Sequence, residues 1–329
     1  MLDNLIFSMN TVLPLLLLMA VGMLCRKLNM FDSKFVSKGN NLVFRVFLPV
    51  MICKNVMGAS AVDASAMKVF LFVVISVSSL FLILFVIIPF IEKDDRKRGV
   101  MIQAIGRSNY ALFGIPLVSL LFPGQDVSIA SILVLATVPL FNVYSTIALE
   151  VYNLPDHLRE KQNGEAEKQR RKAAALHILK GILLNPLIIA SVLGFILFRL
   201  HVTFPSPVQK TIDNLSGVAT PLALFLLGGS FEFSKIHGNL KQLIICVTGK
   251  LILSPLVFVT LAAVLGFKGP ALGAILITFA SPAAASSFPM AQQMGGDAEL
   301  AAEHIVFSSA FSVLTVFLAI FILKTLGLI

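Results

Sequence analysis

Thr278 to Gln293 reads TFASPAAASSFPMAQQ and continues the apolar run ALGAILI, Ala271 to Ile277. Two prolines, Pro282 and Pro289, stand seven residues apart where the middle of a membrane span should lie. A proline removes one backbone donor, and its ring clashes with the preceding turn of helix. In hydrocarbon, each backbone group freed in this way costs several kcal/mol unless something else satisfies it. The stretch therefore predicts a helix that stops and restarts at membrane depth. Such backbone is tolerated only where it packs within protein or lines a wet cavity.

Composition makes the bilayer the right frame. The chain has 329 residues, 57% of them hydrophobic and only 13% charged, with a mean hydropathy of +0.92. A soluble chain carries about 25% charged residues. Apolar runs of about 20 residues, enough to cross the hydrocarbon layer, recur from end to end. The first, around Leu5–Cys25, is preceded by Asp3 and no basic residue, so it reads as a retained span and not as a signal peptide. Cys25, Cys53 and Cys246 lie in or at the ends of apolar segments, an odd count that gives no disulfide framework. The expectation is an all-α polytopic membrane protein.

Ten transmembrane helices are expected, at about 4–25, 40–60, 67–91, 100–122, 127–150, 174–199, 209–230, 240–265, 270–293 and 299–325. The widest polar gap, NLPDHLREKQNGEAEKQRRK from Asn153 to Lys172, is charged and without an apolar face, which predicts a solvated loop. It separates a first five-helix repeat (residues 1–152) from a second (residues 173–329), with 153–172 as the connecting loop. A shift of 172 or 173 positions brings matching residues into register. Pro14-Leu15 with Gly22 recurs as Pro186-Leu187 with Gly194, Asn41-Leu42 before Pro49 as Asn214-Leu215 before Pro221, and Lys68 as Lys241. Five is odd, so the second repeat must cross in the opposite sense, the inverted layout of many secondary transporters.

Lys and Arg near the span ends set the orientation. The loops after spans 1, 3, 5 and 7 hold sixteen of them and the opposite face five, which places the odd-numbered loops in the cytoplasm and both termini outside. The net charge of +9 is then mainly an orientation signal, with membrane lipids as contacts and no nucleic-acid motif.

The repeat pairs broken span 9 with span 4, GRSNYALFGIPLVSLLF from Gly106 to Phe122, interrupted at Gly114-Ile115-Pro116. Paired interruptions in two repeats point to a transporter's binding site. SNYALFGIPL (Ser108 to Leu117), SPAAASSFPMAQQMGGDAELAA (Ser281 to Ala302) and NNLVFRVFLP (Asn40 to Pro49) together resemble the auxin efflux carrier family, over the whole chain. The family includes plant auxin exporters and bacterial permeases for malate, malonate and related acids. The resemblance implies broken, crossing spans 4 and 9, a scaffold of spans 1, 2, 6 and 7, a mobile bundle of spans 3–5 and 8–10, and a homodimer. The short central loop departs from the plant exporters and favours a bacterial-type permease.

Asn109 matches the family's span 4 Asn, and its amide both donates and accepts, which suits a carboxylate. The expected substrate-binding residues are Asn109, Arg107, Tyr110, Gly114, Ile115 and Pro116 at the first interruption. Ser281, Pro282, Ser286, Ser287 and Pro289 are expected at the second, with Asn142 in span 5. Pro116 and either Ser286 or Ser287 are expected to start and cap two half-helices whose positive ends favour anions. The serines can equally serve close helix packing. Arg45, Lys54, Arg107 and Lys250 lie within apolar segments, where a charge usually faces a cavity or a partner. Comparable acidic residues are nearly absent, which favours an anionic cargo.

No zinc-ligand cluster, phosphate-binding glycine loop or catalytic triad competes, so neither an enzyme nor a cofactor is expected. The expectation is an alternating-access carrier for an organic anion, a mono- or dicarboxylate. The alternatives are a sodium- or proton-coupled exchanger, which would want carboxylates at the interruptions, and a membrane sensor, for which the central loop is short. Topology is directly testable. Single cysteines at Gln162 and Lys97 should react with an impermeant maleimide only from the cytoplasmic side, and one at Gln125 only from outside. Reaction of Gln162 and Gln125 positions from the same face would exclude the ten-span arrangement.

Overall fold

The computed structural model describes residues 14, 17–58, 66–110, 117–118, 121–122, 125, 128–153, 165–230 and 236–329. Among the described residues there is no strand. The helices are residues 17–27 (α1), Ser33–Leu42 (α2), Leu48–Met57 (α3), Met67–Ile91 (α4), Asp95–Gly106 (α5), Ser128–Ile132 (α6), Val134–Tyr152 (α7) and Glu165–Leu184 (α8). There follow Pro186–Arg199 (α9), Ser206–Ser230 (α10), Ile236–Thr248 (α11), Ser254–Val264 (α12), Gly269–Ala280 (α13), Ser287–Gln293 (α14) and Ala298–Thr325 (α15). Among the described residues, five helical stretches are long and apolar enough to cross a membrane: Met67–Ile91, Ile129–Tyr152, Ser206–Gly229, Asn239–Val264 and Ala298–Thr325.

Helix α4 shows why the surrounding medium must be apolar. Val73 and Val77 are fully buried, and Leu80, Leu84 and Ile88 follow on the same inward face. Leu71, Ile75, Leu82 and Val86 are exposed on the outward face, as is Phe90 at 86%. A surface helix in water alternates an apolar stripe with a polar face. One that is apolar all round needs protein or lipid on every side.

Prolines shape the helices in three ways. At Pro49 and Pro255 the helix widens, with π turns at Val43–Phe47 and Gly249–Leu253 directly before Leu48-Pro49 and Ser254-Pro255. Leu48 donates to the Val43 carbonyl and Ser254 to that of Gly249, so an extra residue absorbs the disruption without ending the rod. At Pro186 the chain breaks. Asn185 is extended and its Oδ1 accepts from the Leu187 amide at 2.9 Å, capping α9. The expected single span 174–199 is therefore two helices, and α8 begins at Glu165, inside the segment expected to be a solvated loop. At Pro282 the preceding residue, Ser281, is driven out of the helical region to φ −67° and ψ 150°, and α13 stops at Ala280.

The helices pack as two groups. Helices α2, α3, α9 and α10 form one, with α3 lying against both α9 and α10. Helix α1 joins it through glycines: a side chain at Gly22 would run into the Phe225 carbonyl, and one at Gly228 into that of Met19. Such contacts let membrane helices approach closely. Helices α4, α5, α7 and α11–α15 form the second group, with α5 packed on α4, α7 and α15. The loop after α14 turns at Gly295, whose φ of 77° suits glycine, and Asp297 caps α15 by accepting from the Leu300 amide at 2.9 Å.

Short α14 touches both groups. Asn40 donates its side-chain amide to Gln292 Oε1 at 2.7 Å, and Asn41 does the same to Gln293 Oε1 at 2.9 Å. Two parallel amide pairs thus hold α2 against the end of α14. With Cys25, Cys53 and Cys246 replaced by serine, cysteines at Asn41 and Gln293 should lose maleimide reactivity on mild oxidation and recover it on reduction. Unchanged reactivity would show that the two helices do not meet.

Candidate functional site

The described start of the first interrupted stretch, Gly106 to Tyr110, lies against the second, and backbone groups are satisfied between them. The Asn109 amide donates to the Pro282 carbonyl at 2.9 Å. The Ser108 hydroxyl donates to the Thr278 carbonyl at 2.5 Å, in the last turn of α13. The Ala283 amide donates to Ser308 Oγ, on α15, at 3.2 Å. These bonds supply what the lost helical turns would have provided.

A small cavity opens beside this junction, with about 50 Å³ of room for water-sized molecules. Its walls are Arg107, Ser108, Asn109 and Tyr110 after α5, and Ala284 and Ser286 before α14. Val138, Phe141 and Asn142 of α7 and Met51, Ile52 and Asn55 of α3 complete it. At about 10–15 Å³ per water, that is space for a few waters or a very small solute. The cavity lies between the two helix groups, since α3 belongs to one and all the other walls to the other.

Arg107 is the strongest feature of the wall. It ends α5 in an extended conformation, φ −91° and ψ 126°, and is only 5% exposed. Its Nη2 donates to Ser286 Oγ at 2.7 Å and its Nη1 lies 3.1 Å from Met290 Sδ. The ion pairs among the described residues are Lys54–Asp213 and Arg98–Asp95, so no carboxylate neutralises this guanidinium. A buried charge without a partner is strongly unfavourable, and an anion entering the cavity would relieve it.

Of the expected binding residues, Arg107, Asn109, Tyr110, Asn142 and Ser286 line the cavity together. Gly114, Ile115 and Pro116 lie outside the described residues. Ser281, Pro282, Ser287 and Pro289 are buried at the junction but do not line the cavity. Tyr110 donates its hydroxyl to the Ala130 carbonyl at 3.0 Å, which anchors the broken segment and presents the ring to the cavity. Asn142 Nδ2 donates to Ser191 Oγ of α9 at 3.4 Å, and its Oδ1 is buried without a partner. The Asn109 side chain makes no hydrogen bond with the described residues and is free for a ligand.

One expectation is corrected. Ser286 stands at the cap position of α14, but its hydroxyl accepts from Arg107 and caps nothing. The hydroxyl of Ser287 has no partner. The guanidinium, a charged donor, outcompetes the helix's own amides for the serine oxygen.

Asn55, Ser108, Met51 and Ile52 were not among the expected residues. Asn55 could have been noticed as an amide inside an otherwise apolar stretch, next to Lys54. Lys54 itself pairs with Asp213 of α10 at 2.8 Å, and Arg45 is exposed on its π turn. Lys250 is fully buried and donates to Ser108 Oγ, directly behind the cavity wall.

Over 150 residues, 45% of this chain and 47% of the relative, the protein is 29% identical to a "Putative malonate transporter" of Rhizobium meliloti (strain 1021). That match spans about half the length of the relative. Over 317 residues, 94% of this chain and 96% of the relative, it is 24% identical to an "Uncharacterized transporter" of Methanocaldococcus jannaschii. The family described as "Membrane transport protein" matches residues 7–320, nearly the entire chain, and with its buried, interrupted helices this protein belongs to that family, the auxin efflux carriers.

Proposed function

We propose that this protein is a secondary carrier that moves an organic anion, a mono- or dicarboxylate, across the cell membrane by alternating access. The observation that carries the reading is Arg107, a buried guanidinium without a carboxylate, in the wall of a cavity between two helix groups. The malonate named for one relative supports the same class of cargo. In this reading Arg107 supplies charge, while Asn109 and Asn55 supply amides that donate to carboxylate oxygens and Asn142, held through Ser191, presents its Oδ1 as an acceptor. The group containing α14 moves past the group containing α3. The Asn40–Gln292 and Asn41–Gln293 pairs close the cytoplasmic side and part when it opens. The odd-numbered loops face the cytoplasm, and two copies associate through the first group, which need not move.

Flux of labelled solutes into proteoliposomes tests the assignment. Malonate or malate should be carried well and a neutral solute of similar size poorly. Equal or better transport of a neutral or cationic solute would overturn the reading. Asn109→Ala should weaken anion binding by about three- to tenfold, the value of one hydrogen bond, in a folded protein. Arg107→Gln should weaken it by about 30-fold or more and affect dicarboxylates most, with Arg107→Lys retaining part of the activity.

A further inference from the structure

Lys250 is a second buried cation, set behind the cavity and not in it. It lies on the π turn Gly249–Leu253, which packs against α5, α13 and α15. Its side chain is 0% exposed, and neither ion pair among the described residues includes it. Its ammonium donates to the Ser108 hydroxyl, which passes a hydrogen bond to the Thr278 carbonyl at 2.5 Å.

The position of those two partners is informative. Ser108 follows the end of α5 by two residues, and Thr278 is in the last turn of α13. The ammonium therefore stands where two helix C-termini meet, each carrying about half a negative charge on its unpaired carbonyls. In carriers with broken helices, such carbonyl ends are where sodium ions or protons are coordinated. Two more side chains at these ends are buried without partners: the carboxamide of Gln103, oxygen and nitrogen alike, in the last turn of α5, and the hydroxyl of Ser281 just past α13. The helix ends thus present the oxygen-rich, negatively polarised surroundings of a small cation, and a lysine from the neighbouring π turn fills them.

We propose that the Lys250 ammonium is a built-in cation at this junction, occupying the place of a coupling sodium ion, so that the carrier works without sodium. The proposal rests on the carrier reading, but its test needs no substrate. The purified full-length protein is unfolded thermally in sodium chloride and in choline chloride of equal ionic strength. The wild type and Lys250→Arg should give the same midpoint in both salts. Lys250→Ala should be less stable in choline and should gain about 2 °C or more from sodium at ten times its dissociation constant. A sodium-dependent midpoint in the wild type would overturn the proposal, as would a Lys250→Ala protein indifferent to sodium. Should Lys250→Ala fail to fold, Lys250→Ser takes its place with the same two outcomes. Uptake by the wild type of whichever solute it carries best should be equal in sodium and in choline, and a fall of tenfold in choline would also overturn it. Failure of the anion assignment alone leaves all these readouts unchanged.

Discussion

The structure depends on the requirement that backbone unwound at membrane depth must find its hydrogen bonds within the protein. Pro282 ends α13 by forcing Ser281 into an extended conformation, and the chain after α5 turns extended at Arg107. Neither break is tenable in hydrocarbon by itself. Each supplies the other, through Asn109 to the Pro282 carbonyl, Ser108 to the Thr278 carbonyl and Arg107 to Ser286. The same bonds bring polar side chains from two distant parts of the chain to one place. A site and the repair of its backbone are here one arrangement.

Charge follows the backbone. Two acidic residues near the surface have basic partners, in Lys54–Asp213 and Arg98–Asp95, and these exposed or half-exposed pairs contribute little to stability. The two cations at the junction differ from them. Arg107 and Lys250 are buried and bonded to neutral serines, Lys250 beside helix C-termini whose carbonyls favour positive charge and Arg107 at the N-terminus of α14, whose amides do not. Maintaining such groups reduces stability, which for Arg107 makes sense because it lines a cavity that something can enter. The π turn before Pro255 is what places Lys250 there, so a local answer to a proline also positions a charge.

The contacts between the two helix groups contrast with those inside them. Within the first group, glycine contacts such as Gly22 on Phe225 and Gly194 on Cys53 bring backbones together and leave no slack. Between the groups, the described polar links are side-chain amides: Asn40 and Asn41 with Gln292 and Gln293, Asn142 with Ser191, and Asn185 with the Met294 sulfur. Hydrogen bonds of this kind between membrane helices are worth about 1 kcal/mol each. Links so modest can part and re-form on a functional timescale, whereas the interdigitated backbones cannot.

Sequence alone determined what depends on local pattern. Apolar length placed α4, α10 and α15 within a few residues, because a helix in lipid satisfies its own backbone and needs only a long enough apolar run. Pro282 and Pro289 marked a stretch where a helix would stop and restart, and α13 does stop just before Pro282. The charge of the cavity was legible in Arg107, and Asn109 in its motif. What tertiary structure decided was pairing. No local signal told that Ser286 would receive Arg107 and cap no helix, or that Asn55 would face the site. Those outcomes turn on competition between groups more than a hundred residues apart in the chain. Lys250 shows the division most clearly: sequence marked it as a charge too deep to be a span-end residue, and only the fold put it against the ends of α5 and α13. A side chain's partner there is set by which helices pack together, and packing in a bilayer is a property of surfaces that the linear pattern does not contain.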